Sequence, residues 1–302
     1  MPIYAVTGAS GHVGRFAVQQ LVARGVPPSQ VVAVARTQGK AAGLAAMGVQ
    51  AREADYARPQ TLAAALAGVD RLLLVSSSEV GQLAAQHTNV IAAAKAAGVS
   101  RILYTSMLNA DDSTNPLVGE HRDTERVLGE ARVPFTVLRN GYYTEVYTDP
   151  LARYLENGEI LGASGDGRIS AATRQDYATA AVAALLHAEG GNRTYQLGGP
   201  AFDVSELARV ISEVTGTKVT YHNLPPDQYA RALQQTGLDE ATARFVAALD
   251  TSIARGDLET TSADLAHLLG RPATPLTEVV RSAQGLLKVR SRTATIASIG
   301  TI

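Results

Sequence analysis

Three glycines near the start of the chain have a spacing that suits phosphate binding. Gly8, Gly11 and Gly14 follow the apolar run 3–6 and precede a segment with the apolar periodicity of a helix. The first glycine allows a tight turn, the second a close backbone approach, and the third close packing of helix and strand. The helix start would then offer its free N–H groups to phosphates. This order of strand, loop and helix predicts a dinucleotide site, and a glycine-rich turn without a ligand is the alternative.

The end of the second apolar run, 31–35, indicates which dinucleotide fits. A site for NADH places Asp or Glu there to hold the ribose 2′-hydroxyl, whereas this chain has Arg36, with Lys40 nearby and no acidic residue between 31 and 40. The planar fork of an arginine matches a 2′-phosphate. We therefore expect NADPH to be preferred, and a solvated surface arginine is the alternative.

Polar residues also follow three later predicted strands, 49–53, 71–75 and 135–138. Asp55 and Tyr56 would lie beside the adenine, although a turn or capping role is equally open for Asp55. Small hydroxyl residues at 76–78 would let the ribose and nicotinamide pass close to the backbone, and a plain polar loop is the alternative. Asn140 and Tyr143 would face the nicotinamide.

Two further polar residues have structural interpretations. Arg139 is expected to anchor two lobes of the protein. Asp176 can cap the helix that follows it and pair with Arg174, so a structural role competes there with a cofactor contact.

The elements that would position these residues alternate between short apolar runs and helical patterns. This alternation predicts an α/β fold, a Rossmann-like doubly wound parallel sheet with helices on both faces and ligands at the carboxyl ends of its strands. The predicted strands are 3–6, 31–35, 49–53, 71–75, 101–105 and 135–138. We expect a dinucleotide-binding domain at 1–140, to which later segments return, a smaller mixed α/β substrate-side lobe at 141–287, and a flexible tail at 288–302.

Composition restricts the function classes. The 302 residues carry a net charge of −1 without a long run of one sign, which argues against a nucleic-acid or anionic-membrane surface. Cysteine is absent, which excludes a disulfide framework and a thiolate nucleophile. The sequence shows no secretory leader and no apolar run of transmembrane length, so we expect a cytoplasmic protein.

Taken together, these motifs resemble the NmrA-like branch of the atypical short-chain dehydrogenases. The similarity covers about residues 3–287, and the run 78–82 is its most specific part. Within the branch, the chain resembles the bacterial type 2 NAD(P)H:quinone oxidoreductases most and the triphenylmethane reductases next. The resemblance lies in residues 6–14, 34–36, 55–56, 73–82, 87–91, 93–99, 104–106 and 138–143.

The resemblance implies NADP(H) as cofactor and direct hydride transfer to a quinone, without flavin or metal. It adds contacts at 78–80, at His87 and at 174–177 to those predicted from the residues themselves. The predicted cofactor-binding residues are Gly8, Ala9, Ser10, Gly11, His12, Val13, Gly14, Arg36, Asp55, Ser76, Ser78, Glu79, Val80, His87, Arg174, Asp176 and Tyr177.

The resemblance also shows a departure. Short-chain dehydrogenases pair a serine, here Ser106, with a Tyr-x-x-x-Lys motif on the next helix. If His121 occupies the lysine position, Leu117 occupies the tyrosine position, so the acid–base tyrosine is missing. Reduction of a carbonyl needs a proton donor beside the hydride acceptor, whereas a quinone or a conjugated cationic dye needs one less.

We therefore expect an NADPH-dependent quinone reductase. Tyr56, Asn140 and Tyr143 would line the acceptor site, and His121 could orient a water or a quinone oxygen. A dye-type reductase and a non-enzymatic dinucleotide sensor of the NmrA kind are the alternatives. The expected partner is a small conjugated acceptor, and a homodimer is among the oligomeric states left open.

Overall fold

The computed structural model describes residues 1–187 and 190–299, which form two compact units. Unit 1 comprises residues 1–141, 174–198 and 260–272, and unit 2 comprises 142–173, 199–259 and the chain from 273 onward. Up to residue 140 the elements are β1 (Tyr4–Val6), α1 (His12–Ala23), a 3-10 helix (Pro28–Gln30), β2 (Val31–Ala35), α2 (Gln38–Ala45), β3 (Gln50–Glu53), α3 (Pro59–Leu66), β4 (Arg71–Leu74), α4 (Leu83–Ala96), β5 (Arg101–Met107), α5 (Val118–Ala131) and β6 (Phe135–Asn140). The later elements are α6 (Thr144–Thr148), α7 (Leu151–Asn157), β7 (Glu159–Gly162), α8 (Arg174–Leu186), β8 (Arg193–Leu197), α9 (Val204–Thr215), β9 (Thr220–Asn223), α10 (Pro226–Gln235), α11 (Glu240–Ala254), α12 (Asp264–Leu269) and α13 (Leu276–Ile299).

A seven-stranded parallel sheet forms the centre of unit 1. Its strand order is β3-β2-β1-β4-β5-β6-β8. Ala5 of β1 is in register with Val32 of β2 and with Leu72 of β4, so the order of connections reverses on either side of β1. In such a sheet, ligands bind outside the carboxyl ends of the strands at this reversal. The predicted doubly wound parallel sheet is confirmed.

Helices cover both faces of this sheet, which explains its apolar strands. One face packs Leu72, Leu74 and Ile102 against Leu66 of α3 and Ile91 of α4. Because side chains alternate along a strand, the intervening residues turn to the other face, where α1 and α8 pack together. Parallel strands buried on both faces need mostly apolar residues, as in β2, whose five residues are all apolar and buried.

Unit 2 contains a small parallel sheet of β7 and β9 together with helices α6, α7, α9, α10, α11 and α13. Its helix α9 begins where the Asp203 carboxylate accepts a hydrogen bond of 2.7 Å from the Glu206 backbone N–H. Helix α13 extends to Ile299, beyond the predicted start of a tail at residue 288, and residues 300–302 lie outside the described residues. Among the helices that the structure describes, none is long and apolar enough to span a membrane.

Candidate functional site

The glycine loop between β1 and α1 has the geometry that its spacing predicts. Gly8 has a φ of +61°, a conformation that favours glycine, and its carbonyl accepts a 2.9 Å hydrogen bond from the Gly11 N–H. A Cβ at Gly11 would lie 3.3 Å from the Gly8 oxygen, and a Cβ at Gly14 would lie 2.8 Å from the Gly8 carbonyl carbon. The loop is therefore a compact backbone cradle with no room for a side chain at Gly14 and little at Gly11.

This cradle leaves the start of α1 open to an anion. Gly11 is the N-cap, no side chain caps it, and the first turn contains no acidic residue. The first N–H groups of a helix lack intrahelical partners and carry a partial positive charge. Here no carboxylate of the helix itself competes for them, so the residues present fit a dinucleotide diphosphate.

The loop that follows β4 is held by side chains from distant parts of unit 1. Thr7 Oγ1 accepts from the Val75 N–H at 3.3 Å and Thr105 Oγ1 accepts from the Ser76 N–H at 2.8 Å. The Ser77 N–H donates to His87 Nε2 at 2.9 Å, and the Gly81 N–H donates to the Glu120 carboxylate at 2.8 Å. This segment, residues 75–81, is named the β4 loop below. Its backbone is fixed at the reversal point of the sheet, where a cofactor would lie.

His87 is a fully buried member of these supports. Because Nε2 accepts from Ser77, the ring proton lies on Nδ1, which is 3.0 Å from the Thr124 hydroxyl oxygen. Burial, followed by repulsion from His121, lowers the pKa of His87 to about 3. The imidazole therefore stays neutral at physiological pH, and both of its nitrogens are used within unit 1. A direct contact between His87 and a cofactor stays a prediction.

Arg36 lies next to a partner in the β4 loop. Its guanidinium is 2.8 Å from the carboxylate of Glu79, and both side chains are exposed to solvent. Gln86 donates a 2.7 Å hydrogen bond to the other oxygen of Glu79. Since exposed ion pairs contribute little stability, a phosphate can compete with Glu79 for this arginine at small cost.

Asp55 and Tyr56 follow β3, and the side chain of each has a hydrogen-bond partner within unit 1. The Asp55 carboxylate accepts from the Ala57 N–H at 3.0 Å and from the Arg58 side chain at 3.3 Å, as a turn residue does. The Tyr56 hydroxyl donates to the Val75 carbonyl at 3.0 Å, and burial raises the pKa of this phenol. Tyr56 thus supports the β4 loop, and the adenine and acceptor contacts of the pair stay predictions.

His121 lies on the inward side of α5. Its Nδ1 is 2.7 Å from the hydroxyl oxygen of Tyr104 on β5. Burial lowers the pKa of His121 to about 4, although Glu125 and Glu120 act in the opposite direction. Burial also raises the pKa of Tyr104. The pair is neutral at physiological pH, and neither group has a pKa near 7, which a general acid–base catalyst needs.

A second polar cluster surrounds the buried side chain of Arg139. Its guanidinium forms paired hydrogen bonds with Asp111, at 2.6 and 2.8 Å, and with Glu125, at 2.7 and 3.1 Å. Ser106 donates to Glu125 at 2.5 Å. These partners all belong to unit 1, so the expectation that Arg139 anchors two lobes is wrong: it joins β6 to α5 and to the turn after β5. Ser106 is likewise held by this network.

In contrast to Arg139, Asn140 at the end of β6 has a side-chain oxygen without a hydrogen bond. The residue is 7% exposed, and its Oδ1 is the one buried side-chain atom without a hydrogen-bond partner within residues 1–187 and 190–299. An unpaired buried amide oxygen is costly, which makes it a marker for a ligand. Its position at a strand carboxyl end agrees with the predicted contact near the nicotinamide.

The remaining predicted residues lie apart from these loops in the chain. Asp176 and Tyr177 are buried at the start of α8, where the Asp176 carboxylate is 2.6 Å from the Arg271 guanidinium. Arg174 begins the same helix. Tyr143 belongs to unit 2, where it bridges to Ala172. In the part of the chain that the structure describes, no group of acidic or histidine side chains could hold a metal ion.

Sequence reasoning missed the threonines and the glutamate that hold the β4 loop. Thr7, Thr105 and Thr124 are fully or almost fully buried, and Glu120 lies on α5. For Thr7 and Thr105, the available signal was a threonine directly after or within a buried strand, because a buried hydroxyl must find a partner.

Comparison with known proteins agrees with this geometry. A family model described as NAD(P)H-binding matches residues 8–188. Quinone oxidoreductase 2 of Escherichia coli is 44% identical over 277 residues, which cover 91% of this chain and 96% of that protein.

Two solved structures of reductases complexed with NADPH or NADP(H) are also similar to this chain. The NADPH-dependent quinone oxidoreductase of Escherichia coli complexed with NADPH has a TM-score of 0.90 at 43% identity, covering 94% of this chain and 100% of that one. Triphenylmethane reductase of Citrobacter sp. complexed with NADP(H) has a TM-score of 0.88 at 37% identity, covering 93% and 99%.

Proposed function

The chain belongs to the NAD(P)H-binding family, and we propose that it transfers a hydride from NADPH directly to a quinone. The observation that carries the proposal is the contrast between the residues at the strand ends. Tyr56, Tyr104 and His121 are hydrogen-bonded and neutral, whereas the amide oxygen of Asn140 has no described partner. Such a site suits positioning more than proton transfer.

The glycine loop and the start of α1 would bind the cofactor diphosphate. Arg36 would hold the 2′-phosphate through its fork, with Glu79 giving up part of its contact. The β4 loop would support the ribose and nicotinamide on a backbone that is already fixed, so little ordering free energy is needed on binding. Together these contacts favour NADPH over NADH.

Asn140 would orient the reacting ring. Its unpaired Oδ1 is a hydrogen-bond acceptor, which suits an N–H donor such as the nicotinamide carboxamide. Bound NADPH supplies the hydride, and orientation then accounts for most of the catalysis. A quinone that accepts the hydride needs one further proton, which water supplies, so the absence of a titratable donor does not prevent the reaction.

The first experiment follows NADPH oxidation by purified protein with a small benzoquinone, with the rate without protein subtracted. NADH is run in parallel, and a cationic triphenylmethane dye replaces the quinone in a third reaction. We expect rapid oxidation with NADPH and quinone, with one hydroquinone formed for each NADPH consumed. NADPH oxidation with the dye but not with the quinone would indicate that the acceptor is a conjugated dye-like molecule instead of a quinone. Cofactor binding without oxidation in any mixture would reject the reductase and favour a sensor.

The other predictions from sequence are retained as part of this proposal. We expect a small diffusible acceptor as the reaction partner, neither nucleic acid nor a membrane as a partner, and a cytoplasmic location. A homodimer stays a prediction, which sedimentation or light scattering of the purified protein tests directly.

A further inference from the structure

A cavity of about 540 Å³ lies at the amino end of the sheet in unit 1, the end opposite the glycine loop. It is called the basal cavity here. Four cationic or imidazole side chains from separate segments line it: Arg24 after α1, His187 after α8, Arg193 at the start of β8 and His267 in α12. Its volume is in the range of small-molecule sites, and none of its described lining residues is acidic.

The two arginines of the basal cavity have no ion-pair partner within the part of the chain that the structure describes. Arg24 and Arg193 are exposed to solvent and form no ion pair and no side-chain hydrogen bond with the described residues. Glu189 lies outside those residues. Since the whole chain has 27 basic and 28 acidic residues, this local excess is not a result of a basic composition.

Two arginines behind the cavity add to the positive potential. Arg71 donates to the Leu185 carbonyl at 2.8 Å and Arg101 donates to the Gly191 carbonyl at 3.2 Å. Burial and then repulsion from Arg71 and Arg193 lower the pKa of Arg101. Carbonyl groups at the C-terminus of α8 attract cations, which accounts for Arg71, and the Arg101 guanidinium is held by a carbonyl in the segment after that helix. Arg24 and Arg193 have no such acceptors among the described residues.

We propose that the basal cavity binds a small anion with two or more phosphate groups. Two guanidinium groups provide forks that match phosphate oxygens, and cations on several walls suit a ligand with separated charges. The hydroxyls of Thr136 and Tyr195 also line the cavity. Thr136 Oγ1 accepts from Arg101 at 3.4 Å, so its own proton stays available to a phosphate oxygen. This site is separate from the cofactor site and does not depend on the proposed reaction.

The test is isothermal titration of the full-length protein with inorganic pyrophosphate in magnesium-free buffer, with and without saturating NADP⁺. We expect binding of one pyrophosphate per chain in both conditions, weakening as salt increases. Arg193→Gln and Arg24→Gln should each weaken it about tenfold or more, because hydrogen bonds to charged groups are strong. Arg193→Lys should restore part of the affinity by keeping the charge.

Arg231→Gln is the matched control, since it removes the same charge from exposed helix α10. It should bind pyrophosphate like the parent, and all variants should retain the parent melting temperature within a few degrees. Loss of binding in the presence of NADP⁺ would show that pyrophosphate occupies the glycine loop and would overturn the proposal. Undetectable binding at millimolar pyrophosphate, or equal weakening by Arg231→Gln and Arg193→Gln, would overturn it too. No hydride acceptor is present, so these results are independent of the reductase activity.

Discussion

Replacement of His87 by leucine tests whether the β4 loop is fixed in advance for the cofactor. In the parent, the Ser77 N–H donates to Nε2 of His87 at 2.9 Å, and Nδ1 of the same ring lies 3.0 Å from the hydroxyl oxygen of Thr124. Leucine occupies a similar volume but offers neither an acceptor nor a donor. The substitution therefore removes two hydrogen bonds with little change in packing.

The size of the effect follows from the groups left unpaired. A buried donor without a partner costs about 1–3 kcal/mol, so we expect the free energy of unfolding to fall by about 2 kcal/mol. In His87→Leu the β4 loop is no longer fixed in advance, so part of this free energy must be spent when NADP⁺ binds. A cost of about 1.4 kcal/mol corresponds to about a tenfold rise in the Kd for NADP⁺. The His87→Gln variant keeps an acceptor for Ser77 and should recover part of both losses.

The acid dependence provides a second signature of His87. Its pKa is about 3 in the folded protein, below the ordinary value of 6.5 that applies to the unfolded chain. The contribution to stability is therefore complete above pH 6.5 and is lost as the pH falls towards 3, by about 1.4 kcal/mol per pH unit. His87→Leu should remove this slope between pH 6 and pH 4, whereas the contribution of His121 remains in both proteins.

Urea unfolding from pH 8 to pH 4 and titration with NADP⁺ measure these quantities. Thr124→Val, which removes the partner of Nδ1 and keeps the Ser77 contact, is the control for general destabilisation and should leave the Kd near the parent value. If His87→Leu bound NADP⁺ as tightly as the parent and showed the same slope between pH 6 and pH 4, the β4 loop would not depend on His87.

Four further substitutions test other parts of the site and fold. Arg36→Ala should raise the KM for NADPH about tenfold or more and leave that for NADH unchanged, measured by steady-state oxidation with a quinone. Gly14→Ala should abolish NADP⁺ binding in titrations because its Cβ would lie 2.9 Å from Ala9 Cα, whereas Gly129→Ala, with nothing within 4 Å, should bind normally. Asn140→Leu should lower kcat/KM about tenfold without loss of stability, since it removes an unpaired amide. Burial raises the pKa of Asp250 to about 6, above its unfolded value. The carboxylate therefore destabilises the fold increasingly from about pH 4 to pH 6. In urea unfolding, Asp250→Asn should raise the free energy of unfolding by up to about 3 kcal/mol at pH 8 and by little at pH 4.

Each of these expectations has a contrary result. Equal KM changes with both cofactors would remove the 2′-phosphate role of Arg36. Normal NADP⁺ affinity in Gly14→Ala would show that the glycine loop does not bind the diphosphate. A loss of stability in Asn140→Leu would mean that its amide has a structural partner, and a stability gain in Asp250→Asn that is the same at pH 4 and pH 8 would exclude titration as its cause.

Much of the fold and of the cofactor loop could be predicted from local sequence. The predicted strands 31–35 and 71–75 correspond to β2 and β4, because strands buried on both faces need a run of apolar residues such as 72–75. The glycines could be assigned because backbone conformation and close approach depend on residue type at each position, as the φ of Gly8 shows. Right-handed connections then leave few topologies for such a sheet.

The sequence by itself therefore determined the parallel sheet, the glycine cradle and the arginine at the end of β2, since these follow from periodicity and from the chemistry of single residues. Only the tertiary structure decided which distant groups support the β4 loop, that Arg139 pairs with Asp111 and Glu125, and that Asn140 keeps an unpaired oxygen. Local sequence indicates whether a residue is buried, but a hydrogen-bond partner depends on which strands and helices meet. That choice is made by packing of the whole unit, where each buried polar group must find a partner or leave a place for a ligand.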